Sequence, residues 1–303
     1  MLQITNGDAV IGKFEEMGLE GQYLAWRDVL HEGPVPQTAT LAELDEIRAR
    51  FIAGCGWGPL DGVRATFAER RTLIEASRNM QEVVLWFEYD LYDHLQLIQI
   101  LHWYHANRPL PPRVSLLLPE AHLSAVPIQV FDMIYPLRNT LDDEFFELGA
   151  QAWDAFRAPD PRAMLPFLQM EEPALVYLPA NTRRLLEEYP WTTDGLSRSA
   201  RQLLQAAAQG LRDHGEIFEA ASAMEEARFM GDSSAFALLD QLTPLALTES
   251  GEVTRLGHRL LAGEADWIAA RGGIDTWIGG VHLHGSQAQF RWDPAQQTII
   301  SAI

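Results

Sequence analysis

Carboxylates, a phenol and an amide crowd into one short stretch of this chain. Glu88, Asp90, Tyr92, Asp93 and Gln96 follow one another at gaps of three residues or fewer. Such a set can ligate a metal ion, move a proton or bind a polar molecule. Ahead of it, Val83, Val84, Leu85, Trp86 and Phe87 form an apolar run that reads as a strand buried on both faces. Behind it, Leu91, Leu95, Ile98 and Leu101 recur at helical spacing, which predicts a helix over 91–105. A strand turning directly into a helix is half of a βαβ unit, and ligands of such sheets bind beyond the carboxyl ends of the strands. Glu88 and Asp90 fall at that end. Asp90, three residues before Asp93, also reads as a helix cap with an acidic first turn, a role that needs no ligand. Glu88 follows five apolar residues, where an unpaired carboxylate is costly. It therefore requires either an arginine partner or a wet pocket.

Two further polar sets stand at expected strand ends. Leu2 and Ile4 mark a first strand, and Asn6-Gly7-Asp8 turns from it into a helix over 10–17. That turn offers backbone donors to an anion but is neither a Walker loop nor a dinucleotide fingerprint. Asp8 reads equally as a cap. A second strand over 22–26 leads into Arg27, Asp28, His31 and Glu32. Arg27 is the expected partner of Glu88 or of an anionic ligand, because its planar fork matches a carboxylate or phosphate. Asp28 and His31 suit an acid–base or metal pair, and a loop pinned by local hydrogen bonds is the alternative. Helices are expected over 41–53 and 61–77, the second carrying Glu69 and Arg70 toward the pocket or, as the default reading, on a solvated face. A strand over 113–118 ends at Pro119, Glu120 and His122, which brings more polar groups to the same edge. The alternation predicts an α/β fold, a parallel sheet with Rossmann-like winding over 1–126.

The pattern then becomes helical, and 127–192 reads as a helical connector. Over 193–303 we expect a winged-helix-like α+β domain. Its helices would span 196–208, 216–224 and 232–242, with 245–251 and 256–263 as the wing. The segments 277–283 and 289–292 are expected to pair as a hairpin. Between Leu196 and Gly263 six arginines face nine acids, a net charge of −3, and the helix over 232–242 has no arginine or lysine. DNA affinity rests on basic groups, so a nucleic-acid partner is disfavoured.

The whole chain carries a formal charge of −19 over 303 residues, which also disfavours anionic membranes. Its basic residues are Lys13 and 22 arginines. A single cysteine, Cys55, excludes an intrachain disulfide and a multi-cysteine zinc site. The pairs His102–His105 and His282–His284 each lack an evident third ligand. No secretory leader pattern opens the sequence and no apolar run approaches membrane-spanning length, so a cytoplasmic location is expected.

Several motifs together resemble a bacterial family, the domain of unknown function numbered eighteen thirty-five. They are Thr5-Asn6-Gly7-Asp8, Trp26-Arg27-Asp28, His31-Glu32-Gly33-Pro34-Val35-Pro36, Phe67-Ala68-Glu69-Arg70 and the stretch from Leu85 to Asp93. Phe229-Met230-Gly231-Asp232 and Trp277-Ile278-Gly279-Gly280 resemble the partner domain that commonly follows it. Tyr89 departs from the family pattern, in which histidine is expected. The resemblance implies a two-part architecture and no particular activity. The residues themselves point to a small anionic metabolite, a nucleotide or phosphorylated compound. Arg27 and the Asn6-Gly7-Asp8 turn would hold it, with Glu88, Asp28 and His31 for catalysis, Asp90, Tyr92 and Asp93 around them, and Mg²⁺ as a bridging ion. The alternatives are a metabolite-sensing regulator acting through the winged-helix-like part, with a protein partner or self-association, and an assembly protein in which the polar cluster is a lock.

Overall fold

The computed structural model describes residues 1–38 and 40–301. Its elements run in chain order as β1 (Leu2–Thr5), α1 (Asp8–Met17), β2 (Gln22–Ala25), β3 (Gly33–Pro34), α2 (Leu41–Gly54), α3 (Leu60–Ser77), β4 (Val83–Trp86), α4 (Leu91–Ala106) and β5 (Val114–Leu117). Then come α5 (Ile128–Ile134), β6 (Asn139–Thr140), α6 (Asp143–Phe156), a 3₁₀ stretch (Pro161–Gln169) and α7 (Leu178–Leu186). The remainder is α8 (Arg198–Ala208), α9 (His214–Ser222), α10 (Asp232–Leu242), α11 (Arg255–Leu261), α12 (Trp267–Arg271) and the strands β7 (Ile274–Gly279), β8 (Val281–Gly285), β9 (Phe290–Asp293) and β10 (Thr298–Ser301).

The architecture is mixed α/β, with a mostly parallel sheet in the first half and a helical region in the second. The main sheet has the order β2-β1-β4-β5-β6. Its first four strands are parallel, and β6 closes the edge antiparallel. The period-two alternation of the strands explains the two cores. Leu2, Ile4, Val83, Leu85, Val114 and Leu116 face α4, α6 and α7. Val84, Trp86 and Leu117 face α1 and α5, through Val10, Phe14 and Phe131. Gln3 lies on this second face and is satisfied there, its Oε1 accepting from Trp86 Nε1 at 2.8 Å. From β1 the chain goes first to β2 on one side, then crosses to β4 on the other. Parallel α/β sheets place their ligands at such a point, which here lies beyond the ends of β1 and β4.

Helices α8 to α12 build a separate core around Leu203, Leu204, Leu239 and Leu260. The last strands return to the first core through Ile278, Leu283, Trp292 and Ile299. Two expectations for this region are corrected. The segment over 256–263 is not a wing strand but lies in α11, because Thr254 caps a helix by accepting from Gly257 N and Leu260 packs inward. Only an isolated antiparallel bridge, Leu247–Val253, precedes it. The segments over 277–283 and 289–292 do not pair with each other. β7 pairs with β8 through a two-residue turn at Gly279-Gly280, and β9 pairs with β10. β7 also takes β3 as a parallel neighbour, Gly33 opposite Ile278, a contact between residues far apart in the chain.

The helix α4 carries most of the candidate site and is buried along nearly its whole length. Against it lies α6, brought close by Gly149: a Cβ there would sit 2.5 Å from Leu101 Cβ and 2.8 Å from Leu101 Cδ1. The substitution Gly149→Ala is expected to force the two helices apart and to cost about 1–3 kcal/mol, the usual penalty of overpacking. A urea denaturation midpoint unchanged from wild type would refute this account of the α4–α6 contact.

Candidate metal centre

Beyond β4 the chain adds one more ladder bond, Phe87 N to Leu117 O at 3.1 Å, and then turns into α4. Glu88 sits in that turn, 4 % exposed. Its Oε1 accepts from Leu123 N at 2.7 Å and its Oε2 lies 2.6 Å from His122 Nδ1. Asp90 caps α4, Oδ1 accepting from Asp93 N at 3.1 Å. Its other oxygen lies 3.9 Å from His122 Nδ1. One ligand atom from each of Glu88, Asp90 and His122 falls within 4.8 Å of the others. These three can hold a metal ion. Asp93 braces them from behind: Oδ2 accepts from Glu88 N at 2.5 Å and Oδ1 from Asn6 Nδ2 at 2.6 Å. Asn6 thereby ties the end of β1 to the end of β4.

The electrostatics are one-sided. Glu88, Asp90 and Asp93 are all buried, and among the described residues no arginine or lysine pairs with any of them. His122, half-exposed, is the neighbour able to carry positive charge. Burial first, then the charge of Glu88, pushes Asp90 up to about 6. Burial, reinforced by Asp90 and Glu88, pushes Asp93 well above the ordinary carboxylate range. A divalent cation among these oxygens would supply the missing charge.

The other expected site residues lie elsewhere along the same edge. Gly7 is the N-cap of α1 in an extended conformation, with no side-chain cap, so the first N–H groups of α1 are free of a capping side chain. Arg27 is not the partner of Glu88. At φ 54° its side chain turns outward and grips Asp8, its Nε 2.8 Å from Asp8 Oδ2, and this pair holds the Asp8 carboxyl below its usual range. Asp28 and His31 do not pair with each other. Asp28 is fully buried and accepts from Arg48 Nε at 3.0 Å, with Arg70 Nη1 3.9 Å from its other oxygen. His31 is buried with its Nε2 3.3 Å from Glu32 Oε1, off the line of a hydrogen bond, and its ring meets Tyr92 and Phe229 edge-on. Tyr92 stands between His31 and Asp93, and burial raises its phenol pKa. Arg70, expected on a solvated face, is fully buried between Trp26 and Phe67, donating to Trp26 O at 3.0 Å.

The residue that sequence reasoning left out is His122. It lies 34 residues from Glu88, and only the β4–β5 pairing brings them together. The signal was there in the polar Glu120 and His122 after an apolar strand. Among the described residues the other histidine pairs gain no set of three ligands; His282 Nε2 bonds Asp275 Oδ1 at 2.7 Å instead. No described helix is long and apolar enough to cross a membrane. Comparison with known proteins adds no further constraint: no family model, no curated protein and no solved structure matches this chain.

Two expectations follow from this geometry. Asp28→Ala strips the counter-ion from buried Arg48 and should cost about 3–5 kcal/mol of stability, read by urea denaturation; a merely local catalytic role for Asp28 would leave the midpoint in place. Asp90 works the other way. Its folded pKa is raised, so its contribution to stability is complete below the ordinary value of 3.8 and is lost as pH rises through about 6. Asp90→Asn keeps a capping oxygen and removes the charge. In metal-free protein it should therefore be the more stable variant at pH 7, by up to about 3 kcal/mol, and the difference should vanish in acid. Equal melting curves at pH 7 would contradict the electrostatic account.

Proposed function

We propose that this chain binds a small anionic metabolite, a nucleotide or another phosphorylated compound, through a divalent cation held by Glu88, Asp90 and His122. The convergence of those three ligand atoms within 4.8 Å, at the carboxyl edge of a parallel sheet, carries the reading. A protein of net charge −19 repels a free anion, and a bound cation reverses the local sign where the ligand meets the protein. The uncapped start of α1, next to Asn6, would offer backbone donors to the ligand's phosphate or carboxylate. Arg27 would exchange Asp8 for the ligand. An imidazole beside two carboxylates favours Mn²⁺ or Zn²⁺ over Mg²⁺, which prefers oxygen alone. Rossmann-like winding of the sheet, a winged-helix-like grouping of α8 to α10 and kinship with family eighteen thirty-five belong to the same proposal. The strand order, the three consecutive helices with the bridge after them, and the quoted motifs support them.

A second reading is a metabolite-sensing regulator. The observation in its favour is the ring of Phe229, which precedes α10 and packs edge-on against His31 at 5.0 Å. It links the helical region to the strand-end loops. With no basic residue in α10, the partner in this reading is a protein rather than DNA.

The test is a thermal-shift and calorimetric titration of chelator-treated protein with Mn²⁺, Zn²⁺ and Mg²⁺, followed by nucleoside monophosphates and sugar phosphates. A cation at one hundred times its Kd should add about 2.7 kcal/mol of stability, and His122→Ala should abolish the gain. No cation response in wild type would dispose of the metal centre. A phosphate ligand that binds equally well in chelator would dispose of the bridging role alone.

A further inference from the structure

A cleft of about 710 Å³ is lined by His31 and by none of Glu88, Asp90 or His122. Helices α2, α10 and α12 and strand β7 wall it. Its volume is that of a small-molecule site. Two features set its chemistry.

The first is aromatic surface. Phe51, Trp57, Phe236, Trp267 and Trp277 contribute to the wall. Phe51 and Trp57 meet edge to face at 5.8 Å. Trp277 is stacked on His282 at 4.5 Å with an interplanar angle of 3°, which fixes it as a flat panel. The second is charge. The carboxylates of Glu32, Asp240 and Asp275, the last bonded to His282, outnumber Arg271, while Glu188 is already matched by Arg184. Arg271 lies over the Trp267 ring and makes no ion pair among the described residues. Glu32 stays ionised. Burial raises its pKa, but His31, Ser234 and Arg48 outweigh burial and the net shift is downward. The β3–β7 register sets Gly33 opposite Ile278, so Glu32 and Trp277 occupy the preceding positions on neighbouring strands.

We infer that this cleft binds a small organic cation, an amine on a flat apolar body, with Glu32 as counter-ion and the Trp57 and Trp277 rings as flanking surfaces. Aromatic faces attract a desolvated ammonium through their quadrupoles, and a carboxylate beside them completes the recognition. An anion of the same shape would meet three carboxylates and be repelled. The site shares no residue with the metal centre, and its ligand is opposite in charge to the anionic metabolite proposed there.

2-Phenylethylamine and its anionic counterpart 3-phenylpropionate are suitable probes, titrated calorimetrically against the full chain. The amine should saturate at millimolar concentration and bind at least tenfold more tightly than the acid, a difference of about 1.4 kcal/mol. Glu32→Gln should weaken the amine at least tenfold. Because Glu32 also lies against Ser234 and His31, a second variant guards against misfolding: Ala237→Trp, at an exposed position in the wall, should abolish binding with the melting temperature unchanged. His122→Ala should leave amine binding intact. The proposal is overturned if the amine does not saturate, if the acid binds as well, or if Ala237→Trp binds the amine normally.

Discussion

Three carboxylates buried side by side, with no arginine or lysine among the described residues to answer them, are the constraint around which the first half of this protein is arranged. Ionised acids in a shared site raise one another's pKa, and burial adds to the effect. The fold tolerates Glu88, Asp90 and Asp93 because each accepts a backbone or amide N–H: Leu123 N for Glu88, Asp93 N for Asp90, Glu88 N and Asn6 Nδ2 for Asp93. Those bonds orient the oxygens without neutralising them. They also lock three separate chain segments, the ends of β1, β4 and β5, into one piece. The negative charge left over is therefore held in a rigid frame, which is the condition for a cation site to be preorganised.

The neighbouring loop shows what full neutralisation looks like. Asp28 and Asp45 are as buried as the carboxylates of the centre, yet Arg48, Arg70 and Arg71 surround them. Arg48 also donates to Val29 O and Glu32 O, so one guanidinium pins the whole turn after β2. Removing either charge from such a network exposes the other to the interior. The contrast separates the two polar clusters. One is matched in charge and structural; the other is left with unbalanced negative charge that a cation would answer.

Much of this was legible in the sequence. The apolar run over 83–87 and the helical spacing after Leu91 located β4 and α4 to within a residue or so. The cost of burying Glu88 after five apolar residues pointed to a site. What the sequence hid was partner choice. Arg27 was the nearest candidate for Glu88 in type, but its left-handed backbone and the proximity of Asp8 turn it outward. The true partner, His122, depends on a parallel pairing that no local pattern encodes. Arg70 looked solvated because charged neighbours surround it in sequence, while in space two aromatic rings enclose it. The pairing of β3 with β7 spans most of the chain and left no periodic trace. Local propensity reaches the elements; register and long-range pairing decide which side chains meet.

A short chain of side chains links the candidate metal centre to the aromatic cleft. Asp93 contributes to the electrostatics of Tyr92, Tyr92 packs against His31, and His31 lines the cleft beside Glu32. These intervening side chains are largely buried, so charge on one side is screened little by water on the other. Tyr92 stays neutral, since burial and three nearby carboxylates all raise its phenol pKa. The link thus adds no charge of its own from Tyr92 and transmits the field of the acids instead. A cation among Glu88, Asp90 and His122 would lower the negative potential on the cleft side, and a cation in the cleft would do the same in reverse. Two positively charged ligands, one at each proposed site, would therefore oppose each other, and by linkage the opposition would have the same magnitude in both directions.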